Sequence, residues 1–436
     1  MAGEWPVVTL QDVCETITDG AHLSPKDCDG GLPMDSVKDM ARWGIDVKSS
    51  RTISHEDFDD LVRNGCQPQI GDVLIAKDGA TCLDTVCEFT QPDKIVLLSS
   101  VAILRPSKRL HSGYLRYYLD CADTRAMLKA GYVSGSAIPR VVLKDFRRAP
   151  IPLPPLAEQK AIAAVLGALD DKIELNRRMN ATLEAMARAL FQSWFVDFDP
   201  VRAKLDGRKP TGLGDATATL FPATFQDSPL GHIPEGWGTG SILRQADLLS
   251  GGTPKTDVPA YWNGDVPWAS AKDVSQCGEA FLVSTERTIT QRGVEESSTK
   301  IIPEFATVVV ARGATTGRLT MFGHSMAMNQ TCYGLRSKVG APFALYCNAR
   351  YFIERLVQGG HGSIFDTITT STFEATNVLL AQKEVLVAFD EQVTPLFQQV
   401  HANLHQSRTL ATLRNALLPK LLSGELSVSQ CEPAPL

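Results

Sequence analysis

The feature that most constrains this chain is that it is written twice, at an offset of roughly 235 residues, and internal repetition sets the architecture before any single residue is interpreted. Leu32-Pro33-Met34-Asp35-Ser36-Val37-Lys38-Asp39-Met40 aligns with Val266-Pro267-Trp268-Ala269-Ser270-Ala271-Lys272-Asp273-Val274, both keeping P-x-x-S-x-K-D before an apolar residue. Arg51-Thr52-Ile53 matches Arg287-Thr288-Ile289. The run Val73-Leu74-Ile75-Ala76-Lys77 aligns with Val308-Val309-Val310-Ala311-Arg312, each followed by a glycine turn, Gly79-Ala80-Thr81 and Gly313-Ala314-Thr315. A third block, Gly135-Ser136-Ala137-Ile138 ending at Phe146, recurs as Gly362-Ser363-Ile364 ending at Phe373. Each copy runs into a long helical pattern, so the chain alternates globe, helix, globe, helix. The corresponding segments are 1–151 for the first globe, 152–199 for the first long helix, 200–229 for a linker, 230–380 for the second globe, 381–425 for the second long helix, and 426–436 for a tail.

Pro152, Pro154 and Pro155 suit the opening of a helix but not its interior, and Glu158 falls in the first turn, where a carboxylate complements the helix dipole. From Leu156 a 4-3 spacing then runs through Ile162, Leu166, Leu169, Ile173, Asn176, Asn180, Leu183, Ala187, Leu190 and Trp194. That is a coiled-coil seam, expected to end at Pro200. The second copy starts near Gln382, runs from Leu386 through Phe389, Val393, Leu396, Val400, Asn403, Ser407 and Leu410 to Leu421, and ends at Gly424. Antiparallel pairing with facing residue numbers summing to about 583 sets Asn176 opposite Ser407 and Asn180 opposite Asn403. A polar layer then meets a polar layer, a known device for fixing register. The fold class expected is α+β: two similar globes joined and separated by two long antiparallel coiled-coil helices, with pseudo-twofold symmetry.

Length and a hydrophobic fraction of 44% allow two sizeable cores in 436 residues. There is no basic and apolar leader at the start and no 18-residue apolar run, so a cytoplasmic protein without a membrane partner is expected. The ten cysteines show no C-x-x-C spacing and read as reduced, mostly buried thiols. The net charge of −6 weighs mildly against a large basic surface, but a local positive face survives any whole-chain sum. It also supports the alternative reading, a non-catalytic protein-interaction scaffold that never contacts DNA.

No catalytic apparatus stands out: the chain has no phosphate loop, dinucleotide fingerprint, nucleophile elbow or H-E-x-x-H. His401 and His405 lie four apart on a helix, a spacing open to a metal, but they read as solvated flank residues. The repeated turns offer binding groups instead. A strand ending in a cation, a glycine and a hydroxyl supplies a phosphate donor, close backbone approach and a second hydrogen-bonding group. In the first globe the candidates are Lys38, Lys77, Asp78, Thr81, Ser136 and Arg140. In the second they are Lys272, Arg312, Thr315, Thr316, Arg318, Asn329, Gln330 and Ser363. The second globe has no sequence counterpart of Arg140.

Pro152-Leu153-Pro154-Pro155-Leu156-Ala157-Glu158-Gln159-Lys160 opens the first helix and Leu190-Phe191-Gln192-Ser193-Trp194-Phe195-Val196-Asp197-Phe198 closes it. Leu230-Gly231-His232-Ile233-Pro234-Glu235-Gly236-Trp237 starts the second globe, and Leu417-Leu418-Pro419-Lys420-Leu421-Leu422-Ser423-Gly424-Glu425-Leu426 lies near the end. In combination these motifs resemble the specificity subunit of type I restriction-modification enzymes. The resemblance implies a non-catalytic reader of double-stranded DNA whose globes are target recognition domains, each for one half of a bipartite sequence, while the helices set the spacer and dock two modification subunits. It also implies two restriction subunits, no cofactor in this chain, and S-adenosylmethionine, ATP and Mg on the partners.

Overall fold

The computed structural model describes residues 5–135, 139–359 and 367–428. The chain divides into two units, one comprising residues 1–174 and 408–436, the other residues 175–407.

In the first unit, β-branched and apolar runs form an antiparallel sheet ordered Cys14–Asp19, Val101–Pro106, Val73–Ala76, Val86–Glu88. Val73–Ala76 is buried along its whole length, as a central strand covered on both faces must be. A smaller sheet places Leu32–Asp35 between Arg51–Ile53, antiparallel, and Val96–Leu97, parallel. The strand Val7–Thr9 pairs with Pro150–Pro152 and brings the beginning of the globe to its end.

The second unit repeats this plan. Its larger sheet runs Ala246–Ser250, Cys332–Ser337, Thr307–Val310, Leu319–Phe322, Phe281–Leu282. Its smaller sheet again puts the motif strand, Trp262–Ala269, between Arg287–Ile289, antiparallel, and Met326–Met328, parallel. Gly238–Ser241 pairs with Asn377–Leu380 as the closing ribbon. The repeated motif P-x-x-S-x-K-D is therefore a strand followed by a capped turn. Ser36 and Asp39 form a capping box, with the Ser36 N–H donating to the Asp39 carboxylate at 2.9 Å. Ser270 and Asp273 repeat it at 2.8 Å.

The long helices are Leu156–Phe195 and Lys383–Leu422, each 40 residues, or about 60 Å. In the first unit Ile162 and Leu166 share one core with Leu418 and Leu421. In the second, Trp194 meets Phe389 edge-on at 5.5 Å, the Asn176 amide donates to Ser407 Oγ at 3.1 Å, and the Asn403 amide donates to Asn180 Oδ1 at 2.9 Å. The helices are antiparallel in both units.

Three expectations need correction. The first helix ends at Phe195, before Pro200, because Phe198 turns left-handed (φ 57°) and Pro200 opens a new short helix, Asp199–Leu205. The segment read as a linker is folded: Val201 and Phe221 are fully buried, and Phe221 packs on Trp194 at 5.1 Å. His401 is not a solvated flank residue, since its Nε2 lies 2.6 Å from the Gly323 carbonyl and its ring stands against Phe281. His405 Nε2 is 3.2 Å from His401 Nε2, and no group of three metal-ligating side chains occurs among the described residues. The nine described cysteines are free, six of them buried. Among the described residues no helix is long and apolar enough to cross a membrane.

Candidate nucleic-acid interface

The glycine turn after the central strand has the same backbone in both globes. Leu83 N–H donates to Ala76 C=O at 2.8 Å and Gly317 N–H to Val310 C=O at 2.9 Å. Cys82 to Gly79 and Thr316 to Gly313 repeat at 3.0 and 3.1 Å, and Asp84 to Thr81 and Arg318 to Thr315 at 2.9 and 3.1 Å. Gly79 and Gly313 take φ of 95° and 100°, which a Cβ disfavours, so the turn requires glycine there. Leu83, at φ 66°, occupies in the first copy the left-handed position that Gly317 holds in the second.

These bonds set a constant offset of 234 and shift the alignment read from sequence by one residue on the strand side. The Lys77 carbonyl accepts from Val141 N–H just as that of Ala311 accepts from Ile368 N–H. Asp78 bridges Arg140 as Arg312 bridges Thr367. Lys77 is thus the counterpart of Ala311, and Arg312 that of Asp78. The shared Ala-cation pair misled the alignment because side-chain likeness carries no information on which N–H closes a turn. Thr367 is the structural counterpart of Arg140 that sequence did not reveal.

Lys77 is also not presented to solvent. Its ammonium donates to Asp19 Oδ2 at 2.6 Å, and the two side chains are only 8% and 11% exposed. Its expected role as a phosphate donor is corrected to that of an internal ion pair. Asp78 is mostly covered, with Arg140 Nε 3.8 Å from its carboxylate. Lys38, Thr81 and Arg140 are exposed. The sequence reading missed Asp84, which pairs with Lys129 at 2.6 Å and stands where the second loop has Arg318. Constant spacing from the glycine would have found it.

In the second globe Arg312, Thr315, Arg318 and Gln330 are exposed. Thr315 accepts from Ser275 Oγ at 2.6 Å, tying the loop to the capped motif helix. Thr316 Oγ1 donates to the Gly313 carbonyl at 2.7 Å and closes the turn itself. Lys272 donates to Glu286 at 2.7 Å, which raises its pKa. Asn329 Oδ1 accepts from Thr331 N–H and Oγ1, and Gln330 accepts from the Thr253 hydroxyl. The structure therefore gathers Arg312, Thr315, Thr316 and Arg318 on one turn, whereas Lys272 and Gln330 hold partners on neighbouring elements and Asn329 bonds Thr331 in its own loop. Ser136 and Ser363 lie outside the described residues. Behind the first motif, burial pushes the Asp35 carboxyl up to about 6 despite a hydrogen bond from Ser50.

The family model for the type I restriction modification DNA specificity domain matches residues 2–185 and again 234–402. The chain is 27% identical over 333 residues to the type I restriction enzyme HindI specificity subunit of Haemophilus influenzae, covering 66% of this chain and 71% of that one. It is 23% identical over 453 aligned positions to the MjaIX specificity subunit of Methanocaldococcus jannaschii, covering 98% and 94%. Among solved structures, the S subunit of a type I restriction-modification system from M. genitalium matches with a TM-score of 0.56 at 13% identity over 96% of each chain, a likeness of fold.

Proposed function

This chain belongs to the type I restriction modification DNA specificity domain family, and we propose on that premise that it is the DNA sequence-recognition subunit of such a complex, each globe reading one half of a bipartite target. One observation carries the reading. The two globes hold the same turn with the same hydrogen bonds, yet carry opposite charges at matching points, Asp78 beside Arg140 and Asp84 paired with Lys129 in one, Arg312 and Arg318 in the other. A common frame with divergent tips suits two different half-sequences, because carboxylates accept from cytosine N4 whereas arginine donates to guanine O6 and N7. The chain itself carries no catalytic step. S-adenosylmethionine, ATP and Mg belong to modification and restriction subunits, and the paired helices set the spacer.

Replacing Arg312 and Arg318 by Ala in the assembled methyltransferase lowers affinity by about 1–3 kcal/mol for each base that arginine no longer reaches, and relaxes base preference in one half-site only. Methylome sequencing reads both halves at once. Equal relaxation of both halves, or of neither, removes this turn from the interface.

Two modification subunits dock on the helices. Met186 and Leu413 are 48% and 46% exposed, and they occupy matching positions, 227 residues apart, as do Asn176 and Asn403. Large apolar side chains exposed at matching points fit two copies of one partner. Met186→Asp or Leu413→Asp therefore leaves a complex with one modification subunit where the unaltered chain binds two, as native mass measurement will show. Retention of both subunits by the double variant refutes the assignment.

A further inference from the structure

Each globe meets the long helices at a matching point, and the two seats are built from different chemistry. In the first unit the centre is Asp170, 1% exposed. Its Oδ2 accepts from Arg116 Nη1 at 2.7 Å and from the Tyr117 hydroxyl at 2.8 Å, while Oδ1 accepts from Arg414 Nη1 at 2.6 Å. Arg42 adds a fourth contact at 3.3 Å and also pairs with Asp120 at 2.5 Å. Burial alone raises the pKa of such a carboxyl, but the three guanidinium groups outweigh it and hold Asp170 below the ordinary range.

At the matching position 227 residues on stands Phe397. It stacks on Phe343 at 4.6 Å and meets Tyr346 and Phe281 edge-on at 5.9 and 6.0 Å. Where the first seat has Arg414, the second has Ala187, buried in the same apolar core as Phe397. The seam spacing favoured Leu169 and Ile173 over Asp170, yet these two are only half-buried. A charged residue one step off the apolar stripe takes the centre because the globe covers that side together with Arg414 of the other helix.

Building on the recognition reading above, we propose that Asp170 is a positioning residue, fixing the orientation of the first globe on the helix pair and so the spacer at which its half-site is read. Arg116, Tyr117 and Arg42 come from the globe, Asp170 from the first helix and Arg414 from the second, so one carboxylate ties three elements through directional, charge-assisted bonds. Beside Phe397 the second globe is held by ring packing and by Asp390 Oδ1, which accepts from Phe343 N–H and Ala344 N–H at 2.8 Å. In the ionic seat, displacement strands buried guanidinium groups without their counter-charge.

The test is Asp170→Asn in the full chain, assembled with its modification subunits. Methylation at sites whose spacer is one base pair longer or shorter is expected to rise about tenfold relative to the native spacer, a shift of about 1.4 kcal/mol, with both half-sites unchanged. If Asp170→Asn does not accumulate as folded protein, Arg414→Gln removes one arm and shows the same broadening to a smaller degree, whereas Arg414→Lys keeps the charge and the native profile. A residue that merely stabilised the fold would lower the melting temperature and leave the spacer profile alone. That result, in whichever variant folds, overturns the assignment. Absence of any bipartite methylation with the unaltered chain overturns the recognition reading instead, so the two failures are distinguishable.

Discussion

Replacing Lys77 by Ala destabilises the first globe by about 3–5 kcal/mol, the cost of breaking a buried ion pair by removing one partner. The substitution leaves the Asp19 carboxylate in place, 11% exposed, with His22 Nε2 at 3.3 Å. The second copy shows how the same backbone lives without the pair. Ala21 N–H donates to Leu97 C=O as Gly252 N–H donates to Met328 C=O, which makes Asp19 the counterpart of Ser250, and Lys77 is the counterpart of Ala311. Both charges are therefore absent together. Combining Asp19→Ser with Lys77→Ala recovers all but about 1 kcal/mol of the loss, since replacing both members of a buried pair avoids a stranded charge. Urea unfolding of the two variants decides the matter. A double variant no more stable than the single one contradicts it, as does a double variant with normal stability that has lost DNA affinity, which would return Lys77 to the interface.

Adding one methyl group at Gly251 costs about 3 kcal/mol, the upper end for overpacking a filled site, and Gly20 behaves alike. A Cβ at Gly251 would lie 2.2 Å from the Asn329 carbonyl oxygen, and one at Gly20 would lie 2.0 Å from that of Leu97. Neither oxygen can swing aside, because each is already bonded in the sheet region: the Leu97 oxygen accepts from Ala21 N–H at 2.7 Å and the Asn329 oxygen from Cys332 N–H at 3.3 Å, with the preceding Met328 C=O held by Gly252 N–H at 2.9 Å. Gly131→Ala serves as the control. Gly131 lies in the helix Ala122–Tyr132 with nothing within 4 Å of an added Cβ, so alanine there stabilises by about 0.5–1 kcal/mol. Melting temperatures must move in opposite directions for the two substitutions, and a shift of the same sign would falsify the close approach.

Much of the architecture was legible because periodic signals are local. The 3.5-residue spacing located both long helices to within a few residues, and Asn176, Asn180, Asn403 and Ser407 marked where the polar layer falls. The misplacements have one cause. Pro200 looked like the end of a helix, but the turn belongs to Phe198, whose left-handed backbone leaves no mark in sequence. Lys77 looked like a donor at the mouth of a loop, and only the fold shows Asp19, 58 residues earlier, beneath it.

What the sequence alone determined is the duplicated plan, the helix pair and its facing polar residues, since repeats and periods are properties of neighbours along the chain. The tertiary structure decided which residue of one turn corresponds to which in the other, which cations face solvent, and that Asp170 rather than its apolar neighbours seats the first globe. Those outcomes rest on pairings such as Asp170 with Arg116 and Arg414, 54 and 244 residues apart. Electrostatics acts on distance through space, and distance through space exists only once the chain has folded.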